Sequence, residues 1–201
     1  DKVIQKQIES GRSDEALKER KKSLTNSINR TITEVNEKKD KLKVSKYELN
    51  NPMKVEDDGS VTGDATTYFL PTPTTSGEIM SRTEKTVAMQ ANVVPSIKYR
   101  KTGKFSEQEK QTLFTYARIE YEGKCVVARI NDKGPYHEYK DKMKKAGDKY
   151  IPHISKILDL SPAVYDALTG EHTVKTRKPE KGLLNNVNVQ WPVNPDGSSC
   201  K

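Results

Sequence analysis

The residues best placed to do chemistry lie in Arg129-Ile130-Asn131-Asp132-Lys133-Gly134-Pro135-Tyr136. This stretch follows an apolar run, Cys125-Val126-Val127-Ala128, and closes on Gly and Pro. A strand there would fix the backbone while the turn opens it to a groove. A carboxylate at the strand's exit, Asp132, can be held rigidly and still meet a ligand. Its chemistry would be proton transfer. A local reading competes, in which Asn131 and Asp132 only bond the backbone of their own turn, as Asn and Asp often do. The stretch alone leaves both open.

Other reactive side chains are few. The histidines are His137, His153 and His172, the first two in an insertion after Pro135. Cys125 and Cys200 lie far apart, one within the apolar run and one beside the last residue. No Cys or His stands at ligand spacing from either, so neither a metal nor another cofactor is expected. The two cysteines allow a bridge in an oxidising compartment, or a buried thiol and a loose tail thiol.

The elements that must position these groups are bounded by composition. With 201 residues, 32% hydrophobic and 32% charged, the chain allows one domain plus an appendage, or two small domains. Some segment must be solvated or rely on a partner for burial. The net charge of +8 favours an anionic partner, whether nucleic acid, a membrane surface or an acidic cell-wall polymer. Nucleic acid is not expected, because aromatics are 6% and scattered rather than interleaved with basic residues. No run approaches the roughly 18 apolar residues of a membrane span. The chain opens on Asp without an apolar segment, so export cannot be read from this end.

Residues 1–50 read as helix. Leu17, Leu24, Ile28, Ile32, Val35 and Leu42 draw one thin apolar stripe among Lys, Glu, Asn and Arg. Ser13-Asp14-Glu15 after Gly11 marks a start, so a short helix near residues 2–10 would precede a longer one over 14–43. Thr31 and Lys38 at heptad positions weaken a two-stranded coiled coil. Such a helix is expected to dock, either on its own domain or on a larger assembly.

Asn50-Asn51-Pro52 and Glu56-Asp57-Asp58-Gly59-Ser60 then mark a linker and turn over 51–62. Beyond it, short runs of Val, Thr, Tyr and Ile broken by Gly, Pro and Ser indicate a compact β domain. Strands are expected at Gly63 to Phe69, Thr86 to Met89, Ser96 to Arg100, Phe114 to Tyr121, Lys124 to Ile130, Ile157 to Leu160 and Val187 to Trp191. Glu122-Gly123 would turn the fourth into the fifth as a hairpin. Ser161-Pro162 would cap a short helix ending at Gly170. The polar insertions Lys101 to Thr112 and His137 to Ser155 are long for a compact domain, so each is a functional cover or a mobile loop.

Four segments in this order resemble the double-psi β-barrel of the rare lipoprotein A family, bacterial proteins that act on peptidoglycan. They are Gly63-Asp64-Ala65-Thr66-Thr67-Tyr68 with Thr74-Thr75-Ser76-Gly77-Glu78; Thr86-Val87-Ala88-Met89 with Pro95-Ser96; Val127 to Tyr136; and Ile157-Leu158-Asp159-Leu160-Ser161. The resemblance implies a mainly β fold, a six-stranded double-psi β-barrel with short helices over 63–193, between the N-terminal helical segment with its linker and a tail at 194–201. Residues 1–50 lie outside it.

The activity it implies is that of a lytic transglycosylase on peptidoglycan glycan strands, cutting the bond between N-acetylmuramic acid and N-acetylglucosamine. By position, Asp132 falls on the family's catalytic aspartate, Glu78 on its glutamate and Asp159 on the aspartate that related barrels, the expansins among them, place in the polysaccharide groove. Tyr68, Asn131, Arg129 and Tyr136 are the implied substrate contacts. The chain departs at Met89, where the family carries a His, and His137 or His153 would have to substitute. Without that role the chain would be a glycan-binding or structural barrel. The implied setting is outside the cytoplasm, at the cell envelope or in a wall-penetrating particle such as a phage tail, where residues 1–50 would contact structural neighbours or another copy.

Overall fold

A computed structural model describes residues 14–68, 72–90, 92–93, 113–140, 150–176 and 179–200. The expected helix near residues 2–10, the expected strand Ser96 to Arg100 and the insertion Lys101 to Thr112 lie outside the described residues.

Helix α1 (Asp14–Lys38) buries Leu24, Ile28, Thr31 and Val35 along one face. Leu24 and Ile28 join the same core as the strands, whereas Val35 packs with Leu42, Ile151 and Ile154. Burying an aliphatic side chain of this size contributes about 1.5–3 kcal/mol, so a few such residues suffice to dock an otherwise polar helix. Polar contacts fix its register: the Ser27 and Thr31 hydroxyls donate to Asn92 Oδ1 at 2.9 and 3.1 Å, and the Arg20 guanidinium lies 5.4 Å from the Trp191 ring centroid. The stripe is covered partly by the barrel and partly by Ile151 and Ile154 before β6, so over the described residues no neighbouring subunit is needed to cover it.

The helix stops at Lys38, short of the expected residue 43. Leu42 leaves the helical path to bridge Tyr139, and Lys43 N donates to Glu138 O at 2.9 Å. A second helix, α2 (Lys46–Asn50), begins at Ser45, whose side chain accepts from Glu48 N. The stretch expected to be a linker is part of the sheet. Its residues Lys54–Val55 form β1, antiparallel to the start of β2 (Val61–Thr67).

The remaining strands are β3 (Thr86–Met89), β4 (Tyr116–Tyr121), β5 (Lys124–Lys133), β6 (Lys156–Leu160) and β7 (Leu183–Val193). They run in the order β2-β6-β3-β5-β4-β7, and β7 pairs back onto β2 to close a six-stranded barrel. β2 and β6 are parallel, as are β3 and β5, and the other barrel pairs are antiparallel. This is the double-psi β-barrel that the resemblance implied. Alternate residues fill the interior, among them Ala65, Val87, Met89, Ile130, Leu158 and Val189.

Local signals account for the connections. Glu122 and Gly123 both adopt positive φ, 46° and 77°, as a two-residue turn between twisted strands requires. Helix α3 (Pro162–Thr169) starts at Ser161, whose side chain accepts from Val164 N, and ends at Gly170 with φ 83°. A short α4 (Thr173–Thr176) follows. Cys125 and Cys200 form a disulfide, with Cα atoms 5.5 Å apart, so the tail is stapled to the start of β5 and neither thiol is free. Among the described residues no helix is long and apolar enough to cross a membrane.

Candidate active site

Strands β6, β3 and β5 lie side by side, and their register sets Asp159 opposite Ala88 and Ala88 opposite Asp132. Thr66 of β2 extends the row opposite Asp159. Val87, Met89, Leu158 and Leu160 face the core, so Ala88 and Asp159 face outward, and pairing places Asp132 on that same face. Two rungs of about 4.8 Å set the two aspartate backbones about 10 Å apart, with only a methyl group between them. An irregularity makes this row. Val87 pairs with Ile130 but Ala88 with Asp132, so Asn131 is an extra residue in β5 and would otherwise have stood where Asp132 stands.

The Asp132 carboxyl is held from two sides. Its Oδ1 accepts from Thr75 N at 2.8 Å, from the Thr75 hydroxyl at 2.5 Å and from Lys133 N at 2.8 Å. Thr75 is presented by a tight turn in which Thr74 N donates to Glu78 O and Gly77 N to Thr74 O, docked on β5 by Ser76 N to Asn131 O. Gly77 has φ 88°, a conformation that costs glycine little. The local reading of Asp132 is therefore only part of the picture: Lys133 N belongs to its own turn, but Thr75 comes from a remote element.

Asp159 has a different environment. Burial raises its pKa above the ordinary aspartate value, the Asp132 charge adds to the rise, and the Thr66 hydroxyl, Lys156 and His153 oppose it. The Thr66 hydroxyl donates to Asp159 Oδ1. Tyr68 belongs to the same face. Its phenol is pushed up to about 12, first by burial and then by the charges of Asp132 and Asp159, and its hydroxyl lies 3.1 Å from Thr86 Oγ1.

Glu78 is placed apart from this row. Its carboxylate takes Arg129 Nη1 at 2.9 Å and Asn131 Nδ2 at 3.2 Å, and the Arg129 hydrogen bond leads the causes that lower its pKa. An ionised, engaged carboxylate is suited to bracing rather than to proton donation. Arg129 also reaches Glu84 at 3.5 Å and lies 5.4 Å from the Phe114 ring centroid. The Tyr136 ring packs on Tyr150, centroids 5.4 Å apart. Met89 is fully buried in the barrel interior, so the position where the resemblance implies a His serves core packing here and does not open on the acidic row.

His137 and His153 turn to a residue that sequence reasoning missed. Glu48 Oε1 lies 2.7 Å from His153 Nδ1 and 3.2 Å from His137 Nε2. Burial pushes His137 down to about 4, so its imidazole is neutral at neutral pH. The signal available for Glu48 was Ser45-Lys46-Tyr47-Glu48, the spacing of a capping box. Only half of that box forms: Ser45 Oγ accepts from Glu48 N at 3.1 Å, while the carboxylate turns to the histidines.

No protein family matches the sequence, and no curated protein does. Among solved structures, the chain is similar to a Streptomyces papain inhibitor at 16% identity, over 65% of this chain and 92% of that one, with a TM-score of 0.39. It is also similar to an expansin of Clavibacter michiganensis, as a mutant in complex with cellohexaose (13% identity, TM-score 0.38) and in the apo form (14%, 0.37). Each comparison covers 68% of this chain and 53% of the expansin, so the chain spans about half the expansin's length. Likeness of this degree carries no argument about activity, and the fold rests on the strand pairing itself.

Proposed function

We propose that this barrel cleaves peptidoglycan glycan strands as a lytic transglycosylase, with Asp159 and Asp132 as the reacting pair. One observation carries the reading: two carboxyls with unlike environments share one outward row, separated only by Ala88. Burial favours the neutral form of Asp159, as a proton donor requires. Asp132 is fixed in orientation by Thr75 and Lys133, as a base or charge-stabilising group requires.

The reaction balances without water. Asp159 gives its proton to the glycosidic oxygen, and the bond from that oxygen to the muramoyl anomeric carbon breaks. The muramoyl 6-hydroxyl oxygen then bonds to that carbon and yields its proton to a carboxylate of the pair, leaving a 1,6-anhydro end. Asn131 and Arg129 act through Glu78, which they hold beside the loop that carries Thr75. Tyr68 offers a neutral phenol beside the pair, for a sugar hydroxyl or ring. Tyr136 packs on Tyr150 and its hydroxyl is buried, which suits a supporting role more than direct contact with substrate. The net charge of +8 supports adhesion to anionic murein, and the disulfide is consistent with an oxidising, extracytoplasmic setting. A place in a wall-penetrating particle draws no support from α1, whose stripe this chain itself covers.

A second reading, a barrel that binds glycan without cutting it, is favoured by Met89, whose thioether cannot transfer a proton. Paired assays with purified murein sacculi separate the two. The first reading expects soluble anhydro-muropeptides from the native protein and about 10²–10⁴-fold less from Asp132→Asn. The second expects both proteins to pellet with sacculi and release nothing.

A further inference from the structure

We propose that Glu48, His137 and His153 form a binding site for a first-row transition-metal dication such as Zn²⁺, which ties α2 to the segments that follow β5 and precede β6. The three ligand atoms, one carboxylate oxygen and two imidazole nitrogens, all lie within 4.8 Å of one another. A tetrahedral Zn²⁺ with bonds of about 2.0–2.1 Å needs ligand atoms about 3.3 Å apart. The spacing from Glu48 Oε1 to His137 Nε2 is 3.2 Å and that to His153 Nδ1 is 2.7 Å, so the first already fits and the second must open by about half an ångström.

The second, independent observation is His137 itself. Its side chain is 0% exposed, and its Nε2 stands 3.2 Å from Glu48 Oε1 without the geometry of a hydrogen bond. A fully buried ring nitrogen left in this state is costly, and a cation on Nε2 would give that nitrogen a partner. Two imidazoles with one carboxylate suit Zn²⁺ and its neighbours rather than Mg²⁺ or Ca²⁺, which take all-oxygen shells.

The surrounding backbone is already ordered for the purpose. Glu48 sits in α2 behind the Ser45 cap and also accepts from Ile154 N at 2.9 Å. His137 N donates to Ile151 O at 2.8 Å, and Tyr136 bridges Pro152. The His153 carbonyl accepts from the Gln90 side chain. Both histidines are therefore fixed from their main chains, so a cation would meet a preorganised set.

The test is calorimetric titration of Zn²⁺ into the full, untagged chain, alongside His153→Ala, Glu48→Gln and the control His172→Ala, an exposed histidine. One equivalent should bind the native protein and the control, and raise the melting temperature by about 5 °C or more at a hundredfold excess over Kd. Both ligand variants should bind at least about tenfold more weakly. Glu48→Gln keeps the acceptor for Ile154 N and is the variant expected to stay folded, as near-UV circular dichroism would check. Absence of binding by the native protein overturns the proposal, as does undiminished binding in either ligand variant.

Discussion

The two aspartates differ in their surroundings, and the proposed reaction depends on that difference. Asp159 binds its proton more tightly in the folded barrel than in the unfolded chain. Its protonation therefore stabilises the fold fully at pH below the ordinary aspartate value, and this contribution is lost as pH rises through the raised folded value. Asp159→Asn should raise the melting temperature at pH 7, and the gain should vanish in acid, where both side chains are neutral. A melting temperature at pH 7 that falls would contradict the assigned environment. Asp132→Asn should cost about 10²–10⁴-fold in muropeptide release, and Thr75→Val, which removes one of three donors, a smaller factor with unchanged melting. Asp132 was legible in the sequence because a strand, an acid and a Gly-Pro turn stand together. Its place in one row with Asp159 was implied only by resemblance, and its contact with Thr75 was not legible, because a docked loop depends on register that periodicity does not encode. Met89 was legible as a departure, but its inward direction required the strand pairing.

At the scale of elements, hydrophobic alternation and turn residues located β3, the β4–β5 hairpin and the Ser161-capped helix closely. The signal failed where one residue changed partners. Leu42 continued the helical stripe in sequence, yet it belongs to the bridge with Tyr139, and the acidic turn at 56–60 concealed β1 because that strand is only Lys54–Val55. Two substitutions test how these elements are held. Leu24→Ala should cost about 2–5 kcal/mol in denaturant unfolding, through the cavity left between α1 and the barrel, whereas a helix docked on another subunit would lose almost nothing in the isolated chain. Gly63→Ala should destabilise more than a typical surface change, because an added Cβ would stand 2.6 Å from Ser155 O and 2.7 Å from Ile157 Cγ2. That backbone leads directly into Thr66 and the acidic row.

The whole molecule is a closed barrel with a helix covering part of it and a disulfide pinning its last turn. Removing that cross-link with Cys125→Ala/Cys200→Ala should lower stability by about 2–4 kcal/mol. Thiol titration of the unreduced, unfolded chain should find no reactive sulfhydryl. Basic charge and a closed, cross-linked barrel suit work on an anionic polymer outside the cytoplasm, but they would serve adhesion as well as cleavage. Under the proposed reading the acidic row is what separates these roles, and its cleavage would leave a distinctive product. The most direct test is mass analysis of the soluble products when purified sacculi are digested with the native protein. The account predicts muropeptides ending in 1,6-anhydro-N-acetylmuramic acid. Reducing ends alone, or no release by folded protein, would contradict it.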